Sequence, residues 1–199
     1  MATRPAKPLE ARELTLTERA RRSQLIEVTV ELVADRGYAD ASLAAIAERA
    51  GITKAAVLYH FPSKAALVRA AHEHVLALLV AHVVAAIEAT DADGAPAAYI
   101  RAMIGHFREH PRHTRMIIEA MTNGEGEYDS AERWRPLADL LGAATNAIGA
   151  KTDLERRTLA IIIGGAIDAI VAEQLTDPDY DTAAAADQLV DLVYAHRSP

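Results

Sequence analysis

The chain contains no cysteine. That removes a disulfide scaffold, a thiolate zinc site and a cysteine nucleophile together. Proline and glycine are sparse, at 8 and 10 residues in 199, and no segment alternates polar and apolar residues convincingly as a strand does. Nothing reads as a signal peptide. The first residues, Met1 to Pro8, carry no apolar core behind their basic side chains. The most apolar run, Thr158 to Ala172, is short for a bilayer and holds Asp168. A cytoplasmic protein is expected.

What is present suffices for a folded core. Hydrophobic residues make up 51% of the chain and charged residues 25%, in a length that suits one ordinary domain or two small ones sharing an element. The net charge of −7 is unfavourable for a nucleic-acid partner, but it is unevenly placed. Residues 1–64 carry +2 and residues 65–199 carry −9. Only the front third can face a phosphate backbone without strong repulsion, while the acidic remainder favours solubility.

Apolar residues recur at helical spacing almost throughout, so the spacing predicts an all-α chain. Residues 1–14, with Pro5 and Pro8, read as a flexible arm. Its Arg4, Lys7 and Arg12 could reach a minor groove or make no contact at all. Thr15 and Glu18 fit a capping box that opens a first helix, which Gly37 stops. Ser42 and Thr53 cap two short helices, ending before Gly51 and Pro62. Ser63 caps a long helix to about Thr90, and Asp91 to Pro96 break the chain. Further helices are expected over 97–110, 112–121, 130–150, 153–175 and 181–196. The resulting organisation is an arm over 1–14, a helix-turn-helix domain over 15–64, a connecting helix over 65–90, and an effector-binding and dimerisation domain over 91–199.

Ala47 and Gly51, four residues apart, have Ile46, Ile52 and Val57 around them. Two short helices that cross closely need a small contact residue, which Ala47 is. The tight turn between them favours a residue that tolerates positive φ, which Gly51 does. An ordinary αα-hairpin uses the same tetrad, so the flanking residues decide. Gly37 to Leu43, Ile46 to Lys54, and Tyr59 to Lys64 with Leu67 closely resemble, in order and without a gap, the N-terminal domain of TetR-family (TetR/AcrR-type) transcriptional regulators.

The resemblance implies an N-terminal three-helix helix-turn-helix domain followed by a helical ligand-binding and dimerisation domain. It implies a homodimer on a palindromic double-stranded DNA operator, acting as a repressor released by a small-molecule effector. It places the recognition helix at Thr53 to His60 and DNA contacts at Ser42, Thr53, Lys54, Ala55, Tyr59, His60 and Lys64. The chemistry agrees. Hydroxyls at helix starts can hold phosphate oxygens, Lys54 can reach a guanine edge, and Lys64 adds charge at a helix start. One position departs from the family pattern. Leu58 stands where the family usually has tyrosine, and Tyr59 fills the variable slot, so one phosphate contact is displaced and Leu58 is left to touch a thymine methyl or pack inward.

Effector-lining candidates by chemistry are Arg101, Ile104, Phe107, His110, Met116, Ile117, Met121 and Trp134. They suit a pocket and a plain core equally well. His106 and His110 share a helix face at the i,i+4 spacing that can clamp a metal. No carboxylate stands at an obvious third position, and Pro111 is expected to redirect the chain before His113, so no metal or cofactor is assigned. Leu159 to Val171, centred on Gly164-Gly165-Ala166, suits a close helix contact, with Leu189, Leu192 and Val193 as a matching stripe. The resemblance makes these a four-helix dimer interface, and intramolecular packing is the alternative. Two other functions stay open, a constitutive DNA-binding regulator without a working pocket and an all-α metalloprotein or enzyme around His106 and His110. For the enzyme, the sequence offers no nucleophile–base pair and no phosphate-cradling glycine loop.

Overall fold

Helix α1 (Leu16–Asp40) starts where the sequence supplies its own cap. The Thr15 hydroxyl accepts from the Glu18 N–H at 3.2 Å, and the Glu18 carboxylate accepts from the Thr15 N–H at 2.9 Å, so two backbone donors of the first turn are satisfied. The structure is a computed structural model that describes residues 14–123, 130–144 and 152–195. Residues 1–13, and with them the basic arm, lie outside it. Near its end α1 is broken at Gly37, whose φ of 80° and ψ of 166° belong to a region essentially confined to glycine. The helical stop expected there is therefore a kink, with one further turn to Asp40.

The remaining helices among the described residues are α2 (Leu43–Arg49), α3 (Lys54–His60), α4 (Lys64–Glu88), α5 (Ala95–Glu109), α6 (Pro111–Asn123), α7 (Ser130–Ala143), α8 (Asp153–Thr176) and α9 (Thr182–Ala195). Among the described residues there is no strand. The hydroxyls of Ser42, Thr53 and Ser63 each accept from the N–H three residues on, at 3.1, 3.1 and 3.0 Å. Pro96 sits in the first turn of α5 and Pro111 opens α6, positions where the missing N–H costs nothing. Helix α7 ends at Ala143, short of the expected 150, and residues 145–151 lie outside the described residues.

The chain divides into two compact units, one up to Ala71 and one from His72. In the first, α1, α2 and α3 enclose Leu25, Val30, Leu32, Val33, Ile46, Ala47, Val57 and Phe61, all at most 4% exposed. In the second, Ile100 and Ile104 of α5 meet Leu137 and Leu141 of α7, Ile163, Ile167 and Val171 of α8, and Val190 and Val193 of α9. A smaller cluster joins Leu79 and Val83 of α4 to Ala102 of α5. The Tyr194 hydroxyl donates to the Asp93 carbonyl at 2.6 Å, tying α9 to the turn before α5.

Helices α4 and α8 are long and apolar enough, by length and composition, to cross a membrane, which corrects the expectation drawn from the shorter run 158–172. In α8 the buried residues Ala160, Ile163, Ile167 and Val171 recur every three or four positions. The helix also carries Asp153, Glu155, Arg156, Arg157 and Asp168, the last paired with Arg133. That one-sided stripe is the pattern of a helix packed on a protein core.

Between α2 and α3 the chain turns on Gly51. Its N–H donates to the Glu48 carbonyl at 3.1 Å, and the Ile52 N–H donates to Ala47 at 2.9 Å, the paired bonds of a Schellman motif. Gly51 takes φ 67°, and a Cβ built on it would meet nothing within 4 Å. Glycine is therefore demanded by conformation and not by space. Gly51→Ala should lower stability by roughly 1–2 kcal/mol through left-handed strain, and Gly51→Asn should recover part of the loss because asparagine tolerates that region. Urea titration of both variants checks this, and equal stability of Gly51→Ala and wild type would refute it.

Candidate nucleic-acid interface

Val57 is fully buried on the inner side of α3. On the opposite side Lys54, Ala55, Leu58 and Tyr59 are exposed, the last two by 41% and 53%. Their spacing, i, i+1, i+4 and i+5, puts them on one outward face. Ser42 and Thr53 are exposed N-caps on either side of the turn. Of the seven residues singled out in the sequence, the structure thus presents Ser42, Thr53, Lys54, Ala55 and Tyr59 on the surface. Leu58 faces outward beside them and does not pack inward.

His60 and Lys64 are placed differently. The His60 carbonyl accepts from the Arg22 guanidinium, which also lies 4.0 Å over the Phe61 ring, and His60 Nδ1 is buried without a hydrogen-bond partner. Burial first, and then the nearby Arg22, hold the His60 pKa below the ordinary histidine value, so the ring stays neutral. The Lys64 ammonium donates to the carbonyls of Tyr38 and Ala39, the latter at 3.2 Å, and stands 4.2 Å over the Tyr38 ring. Burial lowers its pKa, against the opposing pull of Asp40. Lys64 therefore fastens the start of α4 to the chain after the Gly37 kink.

Tyr59 is tied by its tip. Its hydroxyl bonds Glu18 Oε1 at 3.0 Å while Glu18 Oε2 completes the α1 cap, so one carboxylate fixes the start of α1 and the tyrosine on α3. Thr15, Thr17, Glu18, Arg21, Tyr59 and His60 line an open cleft there. Sequence reading did not name Glu18, Arg21 or Arg22 for this surface. The i,i+4 recurrence of arginine and glutamate along α1 carried no sign of which side chains would meet α3.

In the second unit three of the eight effector candidates, Ile104, Phe107 and Trp134, join one core cluster. Ile104 and Met116 are fully buried, Phe107, Ile117 and Trp134 are partly buried, and Arg101 and His110 are exposed. The Met121 side chain lies outside the described residues. Arg101 pairs with Asp187 at 2.7 Å. The cleft at Trp134 is built by α7 and the start of α8, with Arg157 at 4.9 Å over the indole, and shares only Trp134 with the expected set. Pro111 does not carry His113 away. It opens α6 so that His113 Nδ1 comes within 3.1 Å of His106 Nε2. His106 is 2% exposed, and burial, then His110, His113 and His82, push its pKa down to about 4.

Comparison with known proteins places these features. Residues 25–71 match the family model of bacterial regulatory proteins of the tetR family. The HTH-type transcriptional regulator BetI of Ectopseudomonas mendocina is 43% identical over 88 residues, and that of Pseudomonas aeruginosa PAO1 is 39% identical over 88 residues. In both cases the match spans 44% of this chain and 44% of the relative, less than half of either protein. The fold extends further. A TetR-like transcriptional regulator from Rhodococcus sp. RHA1 superposes with a TM-score of 0.72 at 20% identity, covering 92% of this chain and 97% of its own. FadR of Bacillus subtilis, solved with stearoyl-CoA, has a TM-score of 0.68 at 19% identity over 87% and 98%. Residues 25–71 are thus similar to the tetR family of bacterial regulatory proteins, and the fold along the rest of the chain is the one these solved structures share.

Proposed function

We propose that the protein is a dimeric, cytoplasmic, sequence-specific regulator of transcription that binds a palindromic operator and leaves it when a small molecule occupies its second unit. The observation that carries this reading is the outward face of α3. A short helix held by a Schellman turn offers Lys54, Ala55, Leu58 and Tyr59 to a partner while Val57 anchors it. Such a helix fits a major groove, where Lys54 can donate to guanine O6 or N7 and Leu58 can touch a thymine methyl. Exposed Ser42 and Thr53 flank it at positions suited to phosphate oxygens.

The dimer reading rests on a second set of exposed groups. Ile161 and Ile162 of α8 are 49% and 61% exposed, and Leu192 of α9 is 63% exposed. Beside them Gly165 is open, and a Cβ there would meet nothing in its own chain. Water-facing isoleucine and leucine next to a bare backbone suit a second copy of the same helices. The effector would be apolar or amphipathic and enter among residues 97–150, near Trp134. The stearoyl-CoA bound by the FadR neighbour is a molecule of that character.

Lys54→Ala should weaken operator binding by ~1–3 kcal/mol and relax base preference at one position per half-site. Lys64→Ala should weaken operator and random DNA alike, and also lower thermal stability because the Tyr38 and Ala39 carbonyls lose their donor. Titrations on operator, single-base variants and random DNA at several salt concentrations read both, and an unchanged base preference for Lys54→Ala would remove α3 as the reading element. Gly165→Leu should leave the monomer folded yet shift sedimentation from dimer to monomer at micromolar concentration; a wild-type monomer in the same run would overturn the dimer. An apolar effector should change the fluorescence of Trp134, the only tryptophan, and lower DNA affinity together. Ligands that alter neither would leave a constitutive DNA-binding protein.

A further inference from the structure

Four histidines from three helices and a helix junction meet in the second unit. His106 of α5 lies 5.5 Å from His82 of α4, 4.7 Å from His110 at the end of α5, and 5.2 Å from His113 of α6, measured between ring centroids. His110 and His113 stack at 4.8 Å. Such crowding of imidazoles is not what an apolar core selects, because each ring brings two polar nitrogens. His106 Nδ1 is buried and has no hydrogen-bond partner, although its ring is 2% exposed.

The decisive distance is the 3.1 Å between His106 Nε2 and His113 Nδ1. An ion held tetrahedrally by nitrogens at 2.0–2.1 Å keeps its ligands about 3.3 Å apart, so two donors already stand at the separation one ion would impose. His110 is exposed and His82 is exposed, so either ring can turn toward that point from the protein surface. Among the described residues no three donors yet converge on one position; the pair is set, and the third ligand arrives by rotation. Glu109, next to His110, is engaged with Arg108 at 3.3 Å, so the donor set is imidazole without thiolate or nearby free carboxylate.

We propose that His106 and His113, completed by His110 or His82, form a binding site for a divalent transition-metal ion of the zinc, cobalt and nickel class. Neutral imidazole is the ligand those ions share, and hard ions such as magnesium and calcium prefer oxygen. The spacing 106, 110, 113 supplies the ligands from one helix end and the next helix start, and His82 approaches from α4. Binding there would clamp α4, α5 and α6 together. The inference stands apart from the DNA-binding reading, since it concerns the DNA-free protein and one unit of it.

The test uses the full chain without a histidine tag, freed of metal with a chelator and titrated with Co2+. One ion per chain should bind, with a visible absorption band characteristic of low-coordinate cobalt, and Zn2+ should displace it. His113→Gln should weaken Co2+ at least ~10-fold and alter the band, whereas His74→Gln, outside the cluster, should change neither. His106→Gln should do as His113→Gln does; where its circular dichroism shows it unfolded, His113→Gln and His110→Gln carry the test. Absence of a cobalt band in the wild type overturns the proposal. So does a band and affinity unchanged in His113→Gln, since the ion would then sit elsewhere. Failure of DNA binding in a protein that takes up cobalt would count against the proposed function only.

Discussion

The left-handed residue at Gly51 is the constraint on which the first unit depends. Helices α2 and α3 have seven residues each, about two turns, well below the length at which a helix holds itself in water. Neither persists without the other. The Schellman turn sets the angle at which they leave each other, and Ile46, Ala47 and Val57 then fill the space that angle creates. Only because Val57 is committed inward does the other side of α3 have a fixed direction. A turn with φ near −60° would send α3 elsewhere and expose Val57 in place of Lys54.

Two cations that look available for DNA are instead used to hold this arrangement. Arg22 reaches the His60 carbonyl and lies on Phe61, closing the free C-terminal end of α3. Lys64 does the same for the chain after Gly37. Both keep their charge close to the surface, so they still add to the local positive potential, but their geometry is set by carbonyls and rings. The division of labour is therefore different from a count of basic residues: Lys54 is exposed on the outward face of α3, while Arg22 and Lys64 hold the backbone around it.

Features decided within a few residues were legible in the sequence. The caps at Thr15, Ser42, Thr53 and Ser63 and the turn at Gly51 are i to i+3 matters, and each is where the residue types put it, while at Gly37 the glycine gives a kink and not the expected stop. The capping box of Thr152 and Glu155 has the same spacing as that of Thr15 and Glu18. What was not legible lies far apart in the chain. Tyr59 meets Glu18 across 41 residues and Arg22 meets His60 across 38; such contacts follow from interhelical angles that periodicity does not encode. The effector candidates were not sorted into pocket and core by the sequence, because large side chains at helical spacing are shared by both, and Ile104, Phe107 and Trp134 join one core cluster. Pro111 misled in a more local way. Proline was read as a redirection, yet at the first position of a helix its fixed φ continues the chain smoothly, and that brought His113 back to His106.

Helix α8 carries two apolar faces, one buried and one exposed. Its stripe of Ala160, Ile163, Ile167 and Val171 faces the core with α5, α7 and α9, while Ile161, Ile162 and Gly165 face outward. Adjacent positions in the chain thus meet core on one side and solvent on the other, and apolar residues stand on both. This is why the helix is apolar enough for a membrane by composition while pairing Asp168 with Arg133 at its side. The buried and exposed faces of one helix are stiffly coupled. Repacking against Ile163 or Ile167 cannot occur without displacing Ile161, Ile162 and Gly165, since a close-packed helix moves as a body and not side chain by side chain. A ligand that favoured one packing of the inner face would therefore favour one placement of the outer face.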